Sequence, residues 1–263
     1  RHQNIPFRLE QRNGRGNDYA GHMGFFKAIS PMLEMGNEPG QAPGSMNYIP
    51  ITSIDFQTMH RSEIESGNYV AMGDVVEKEA KRLAQVLCHG NTEITRLMTY
   101  LLREILRNIP EHAETLNAWI CAQYWWTDRS AEIAIIDEGI GIKSSLEKNQ
   151  SYHQQINNDK DAILLALKPG VSRSFQPGRE KSVFEDLWAN SGYGLYMVSE
   201  ICKRLSGSFS VVSGDTFLSQ HHDSTVRVGE TCFPGTAIRI TFDTTEVTNS
   251  QRLIADVVSL AEL

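Results

Sequence analysis

The sequence predicts a two-layer α/β (α+β) sandwich, with helices packed on a sheet. Two successive stretches carry apolar residues at helical spacing, and two shorter apolar runs follow, separated by a polar turn. Glycine-rich turns then stand where a strand ends and where a later helix begins. Long helical patterns beside short alternating runs are the mark of helices covering a sheet.

Residues 1–70 carry the weakest pattern. Glycines 14, 16, 21 and 24 come early, and Gly36 to Pro50 is rich in Gly, Pro and Asn, which reads as loop. Phe25–Ile29 is expected to form a short helix, and Tyr48–Ile51 an edge strand, where Pro50 is tolerated. The segment reads as the remnant of a small α/β module. The main domain is expected over residues 71–247. Val75, Val76, Ala80, Leu83, Ala84 and Leu87 define an amphipathic helix that His89-Gly90-Asn91 ends. Thr92 with Thr95 suits the cap of the next helix, whose apolar face runs from Ile94 to Leu106, and Pro110 marks a kink or its last turn. Strands are expected at Ala118 to Trp125 and Ala131 to Ile136, around the turn Thr127 to Ser130.

The stretch 143–190 is polar and poorly patterned apart from a short helix around Asp161 to Leu167. It is longer than an ordinary connection and reads as a mobile flap. A helix from Tyr193 to Leu205, a strand from Ser208 to Val212 and a polar hairpin-like region to about Gly229 follow. Gly235-Thr236 opens a closing strand, Ala237 to Phe242, and residues 248–263 read as one further helix.

A net charge of -7 gives no support for a nucleic-acid footprint, and no apolar run is long enough for a membrane span. The four cysteines, Cys88, Cys121, Cys202 and Cys232, have no CxxC spacing, so reduced and mostly buried thiols are expected, and with them a cytoplasmic location.

The residues that carry chemistry fall in three places. Glu104 and Asn108 lie four apart on the long helix and point the same way. A carboxylate and an amide so placed suit water activation and magnesium coordination, or form an ordinary i,i+4 surface pair. Asp137 ends an apolar strand before Gly139 and Gly141. It can accept a bond from a buried exocyclic amine while the glycines let backbone approach a flat base, or it can simply start a tight turn. Gly192 and Gly194 bracket Tyr193 at a helix start, where free amides and the dipole suit phosphate or the turn is plain capping. The spacing matches neither a dinucleotide fingerprint nor a Walker loop.

Four boxes occur in order: Glu104-Ile105-Leu106-Arg107-Asn108, Asp137-Glu138-Gly139-Ile140-Gly141, Gly192-Tyr193-Gly194-Leu195 and Gly235-Thr236. Over roughly residues 75–243 the chain resembles the GHKL ATPase superfamily. The resemblance implies the Bergerat ATP-binding fold, a mixed, largely antiparallel sheet covered on one face by helices, with ATP and magnesium between the helices and a lid. It makes Glu104 the general base, Asn108 the magnesium ligand and Asp137 the reader of adenine. Gly139, Gly141 and Ile142 would shape the base pocket, Gly192, Tyr193, Gly194 and Leu195 would face the phosphates, and Thr236 would join the polar network around adenine. Residues 143–190 correspond to the lid, from which Lys168, Arg173, Arg179 and Lys181 reach the phosphates or stay as a solvated basic loop. Asn108-Ile109-Pro110-Glu111-His112-Ala113 looks nearest the kinase and anti-sigma branch, from which Pro110 departs; His112 is read as a packing residue, with a place near the phosphates as the alternative.

The leading expectation is magnesium-dependent ATP binding with slow hydrolysis, coupled to lid closure and a protein partner. The alternatives are a protein kinase of the anti-sigma type acting on a separate protein, and a nucleotide-gated interaction module without catalysis. A sensor kinase is disfavoured, because no helical hairpin is legible around His60. A homodimer stays open.

Overall fold

The structure is a computed structural model that describes residues 18–29, 35–45, 47–88, 90–171, 193–222 and 226–261. Its sheet follows from strict alternation. In β2 (Asn117–Trp125) and β3 (Ser130–Asp137), Ala118, Ile120, Ala122 and Tyr124 turn inward with Ala131, Ile133, Ile135 and Asp137. The long hairpin of β4 (Ser208–His221) and β5 (Arg227–Asp243) continues that face with Phe209, Val211, Ile238, Ile240 and Phe242. A strand's side chains alternate between faces, so each inward set lines one core.

With β1 (Tyr48–Asp55) the strand order is β1-β2-β3-β5-β4. All pairings among the described strands are antiparallel. The expected mixed character is therefore not found there. Strands β3 and β4 run the same way, but β5 returns between them, so the helical crossover that joins them creates no parallel pair. Strand β1 is an edge strand, as Pro50 suggests, and its outer rim is covered: Ile51 N–H donates to Met23 O at 2.9 Å and Gly40 N–H to Ile51 O at 2.7 Å. Residues read as a separate module thus extend the main sheet. The short helices α1 (Asp18–His22) and α2 (Phe25–Ile29) precede it, and Tyr19 hydroxyl bonds Gln123 on the outer sheet face.

Helices cover the inward face. Helix α3 (Phe56–Glu65), not anticipated from the sequence, starts where Asp55 accepts from Thr58 N–H at 3.1 Å. It packs on α4 (Met72–Leu87) and carries His60, whose Nε2 lies 2.9 Å from Val70 O. Helix α5 (Thr92–Asn108) is capped by Asn91 rather than Thr92; the Asn91 amide oxygen accepts from Glu93 and Ile94 N–H. Its residues Leu97, Met98, Leu101, Leu102 and Leu106 are fully buried. Burial of each such side chain contributes about 1.5–3 kcal/mol, so α5 is the principal anchor of the helical layer. Helix α8 (Gly194–Arg204) packs on α5 and β4, and α9 (Ser250–Ala261) joins α5 where Ser250 N–H and Oγ both donate to Glu93 at 2.7 Å. No helix among the described residues is long and apolar enough to cross a membrane.

The stretch read as a flap is in part a packed wall. Helices α6 (Gly141–Leu146) and α7 (Asp159–Ala166) bury Leu146, Ala162, Ile163 and Leu165, with Tyr152 and Ile156 between them. Asp159 accepts from Asp215 N–H at 3.2 Å and thereby fastens α7 to β4. Apolar residues within an otherwise polar run supply the packing that the overall composition conceals. Residues 172–192 lie outside the described residues.

Cys88 and Cys202 are buried, and burial pushes both thiols up to about 12. Burial, seconded by Glu132, also raises Cys121, whereas Cys232 is exposed. Because the thiolate is the reactive form, a maleimide at neutral pH is expected to modify Cys232 first, and Cys88 and Cys202 only in denaturant. Peptide mapping after timed labelling checks this; early modification of Cys202 in the native protein would contradict the packing of α8.

Candidate functional site

Pro110 lacks the N–H that would continue the ladder of α5, and the chain widens there into a π turn, Ile109–Ala113. Glu114, in the left-handed region at φ 57°, ends it. The widened turn carries Glu111, His112 and Ala113 to the rim of a cleft between the helices and the carboxyl end of β3. Ala113 O accepts from Ile140 N–H at 2.9 Å. Gly139 lies so close beneath it that a Cβ there would stand 2.2 Å from Ala113 O, which only glycine avoids.

Asp137 closes β3 opposite Thr236 of β5 and is 7% exposed. Its Oδ1 accepts from Gly139 N–H at 2.9 Å. Burial raises its carboxyl above the ordinary value, and bonds from Gly139 and Thr236 oppose that rise. Gly141 follows at φ 74°, a left-handed conformation that favours glycine. Ser213, fully buried, stitches this turn together: its Oγ accepts from Ile142 N–H at 2.9 Å and donates to Gly235 O at 3.0 Å.

At the other end stands Glu104. Arg103, itself buried, donates through Nε and Nη2 to Glu104 Oε1 at 3.1 and 2.7 Å, lies 3.6 Å from Glu77 and covers the Tyr100 ring at 5.1 Å. A Cβ on Gly194 would come within 3.2 Å of Glu104 Oε2, so the start of α8 faces that carboxylate. Between the two ends Asn108 Nδ2 is buried with no hydrogen-bond partner. A buried amide without a partner is costly, and a half-turn of the group would present Oδ1 at the same place.

Glu104, Asn108, Asp137, Gly141 and Ile142 therefore line one open cleft with Gly194, Leu195 and Thr236, whose empty space, open solvent included, is about 970 Å³. Its walls are otherwise largely apolar, including Ile105, Ile109, Leu146, Ala166 and Ile238. Three expected residues stand elsewhere. Gly139 is packed under Ala113, Tyr193 is half-buried against the core at the start of α8, and exposed Lys168 follows α7 away from the lining. Arg173, Gly192, Arg179 and Lys181 lie outside the described residues. The sequence reading missed Arg103, Arg107, Ser145 and Ser213. Helical spacing from Glu104 could have pointed to Arg107, which shares its turn. Ser213 carries no local signal, since its partners come from packing, whereas Arg103 adjoins its partner Glu104. Among the described residues no group of three or more His, Cys, Asp or Glu is arranged to hold a metal ion. No protein-family model and no curated protein matches the chain.

Because burial raises Asp137 above 3.8, the folded state holds its proton more tightly than the unfolded chain. This carboxyl favours folding at low pH, and that contribution is lost as pH rises through the raised value. Asp137→Asn keeps an oxygen for Gly139 N–H and removes the buried charge. It is expected to melt at or above the temperature of the unaltered protein at neutral pH, with the difference narrowing toward pH 3.8. Melting curves across pH check the sign.

Proposed function

We propose that the chain binds ATP with magnesium in this cleft, on a Bergerat-type fold, and hydrolyses it slowly. One observation carries the reading. Residues from three separated sequence boxes, and Thr236 from a fourth, line a single cleft with a buried acceptor, Asp137, at one end and a fixed carboxylate, Glu104, at the other. The apolar walls beside Asp137 suit a flat base whose amine donates to its carboxyl. The amides opening α8 suit phosphate.

Magnesium fits through Asn108 when its amide is turned so that Oδ1 takes the place of the partnerless Nδ2; magnesium commonly takes one or two protein ligands and completes its shell with phosphate oxygens and water. When bound, it would neutralise charge on the phosphates. In hydrolysis, water attacks the terminal phosphorus, Glu104 accepts its proton, the bond to the bridging oxygen breaks, and ADP leaves with inorganic phosphate. The Arg103 guanidinium holds Oε1 of Glu104, so Oε2 is the atom that faces the start of α8 and takes the proton.

Glu104→Gln is expected to lower phosphate release by about a hundredfold or more, as removal of a general base does, while binding of a magnesium complex of a non-hydrolysable ATP analogue is kept. Phosphate-release assays and calorimetry check the pair. An unaltered protein that binds the analogue but releases no phosphate, and instead labels a partner protein from ATP, would replace hydrolysis by phosphoryl transfer. Absence of binding would overturn the reading.

A further inference from the structure

Among the described residues that line the cleft, Glu104, Glu111 and Asp137 are acidic and Arg107 carries the one guanidinium. Arg107 stands on α5 within four residues of Glu104 and beside Asn108, and lines the same cleft. Its Nε and Nη2 both approach Glu111 Oε1 at 3.1 Å, and its side chain is only 15% exposed. Glu111 belongs to the π turn, and its Oε2 lies 4.0 Å from His112 Nε2.

We infer that Arg107 reads the phosphate tail of the nucleotide, and that Glu111 is the stand-in anion which an entering phosphate displaces. This rests on the nucleotide reading of the same cleft, which among the described lining residues assigns no positive side chain to the phosphates. A guanidinium cannot shed its proton, so a largely buried one must always face an anion. Its donor fork suits carboxylate and phosphate oxygens alike, which lets one replace the other. With Arg107 on Glu111 that pair is neutral, as is Arg103 on Glu104, so no guanidinium among the described lining residues is turned to a phosphate tail while Glu111 holds Arg107. Transfer of Arg107 to the phosphate supplies the missing attraction and releases Glu111 toward the rim. Selectivity follows: the gain applies to nucleoside di- and triphosphates and not to the nucleoside, whose base end lies by Asp137.

The test is equilibrium binding of adenosine and of the non-hydrolysable triphosphate analogue, with magnesium, to the unaltered protein, Arg107→Met, Arg107→Lys, Glu111→Gln and the Arg107→Met/Glu111→Gln pair, each checked by its melting curve. Arg107→Met is expected to weaken the triphosphate about tenfold or more, the size of a charge-assisted hydrogen bond, and to leave adenosine unchanged. Arg107→Lys falls between. Glu111→Gln tightens the triphosphate severalfold, and that gain vanishes in the double variant, because the displaced anion acts only through Arg107. Should Arg107→Met fail to fold, Arg107→Lys and Glu111→Gln carry the comparison. Unchanged triphosphate affinity in the Arg107 variants, with Glu111→Gln neutral, overturns the inference and leaves the nucleotide reading standing. So does a Glu111→Gln gain that persists without Arg107. If the unaltered protein binds neither ligand, both readings fall together.

Discussion

The site depends on a close approach of two pieces of backbone. The π turn after α5 rests directly on the turn after β3, with Ala113 O accepting from Ile140 N–H and no room for a side chain at Gly139. That contact joins the helical layer to the sheet at the point where the cleft opens. Were residue 139 larger, the π turn would have to lift, carrying Glu111 and His112 away from the rim. Ser213 completes the clamp from β4 by holding Ile142 N–H and Gly235 O with one buried hydroxyl. Thus elements far apart in sequence fix one another through small residues and a few short bonds, while the large apolar surfaces of α5 and the sheet supply most of the stability.

Two carboxyls sit in this frame under opposite conditions. Asp137 is buried, and desolvation outweighs the N–H donors around it, so its proton is held more tightly than in water. Glu104 has a buried guanidinium on one oxygen and the start of α8 before the other. The difference comes from neighbours and not from residue type. Both are carboxyls on elements with apolar faces, and a sequence can name them without saying which one has a cation beside it.

Periodic elements were legible in the sequence because their signal is repeated. The α5 stripe from Ile94 to Leu106, the β2–β3 alternation and the edge position of Tyr48–Ile51 around Pro50 all follow from spacing or from one residue with strong backbone preferences. Of the sequence boxes, Glu104, Asn108, Asp137, Gly141 and Thr236 come together in one cleft. What escaped depends on tertiary context. Asn91 and Thr92 are both good caps, and backbone geometry chooses Asn91. Pro110 signals a break but not that the break becomes a π turn. The apolar residues of α6 and α7 are too sparse in sequence to show that they form a wall. Among the described strands every pair is antiparallel, and β5 returning between β3 and β4 keeps those two from pairing in parallel, a topological fact that no local pattern encodes.

The two ends of the cleft are chemically unlike, and that difference orients any ligand that spans them. Beside Asp137 the walls are apolar, and burial raises the energy of a charge there, so a neutral group costs less at this end than an anion. Beside Glu104 and Arg107, charges are already present in pairs, and an orphan amide from Asn108 lies between the ends. An anion placed by Asp137 would face a carboxyl without a cation among the described lining residues. Placed at the other end, it meets Arg107, the amides of α8 and Asn108. A ligand with a neutral head and an anionic tail therefore has one favourable direction of entry, head toward β3 and tail toward α8, and the π turn at Pro110 lies alongside the junction between them.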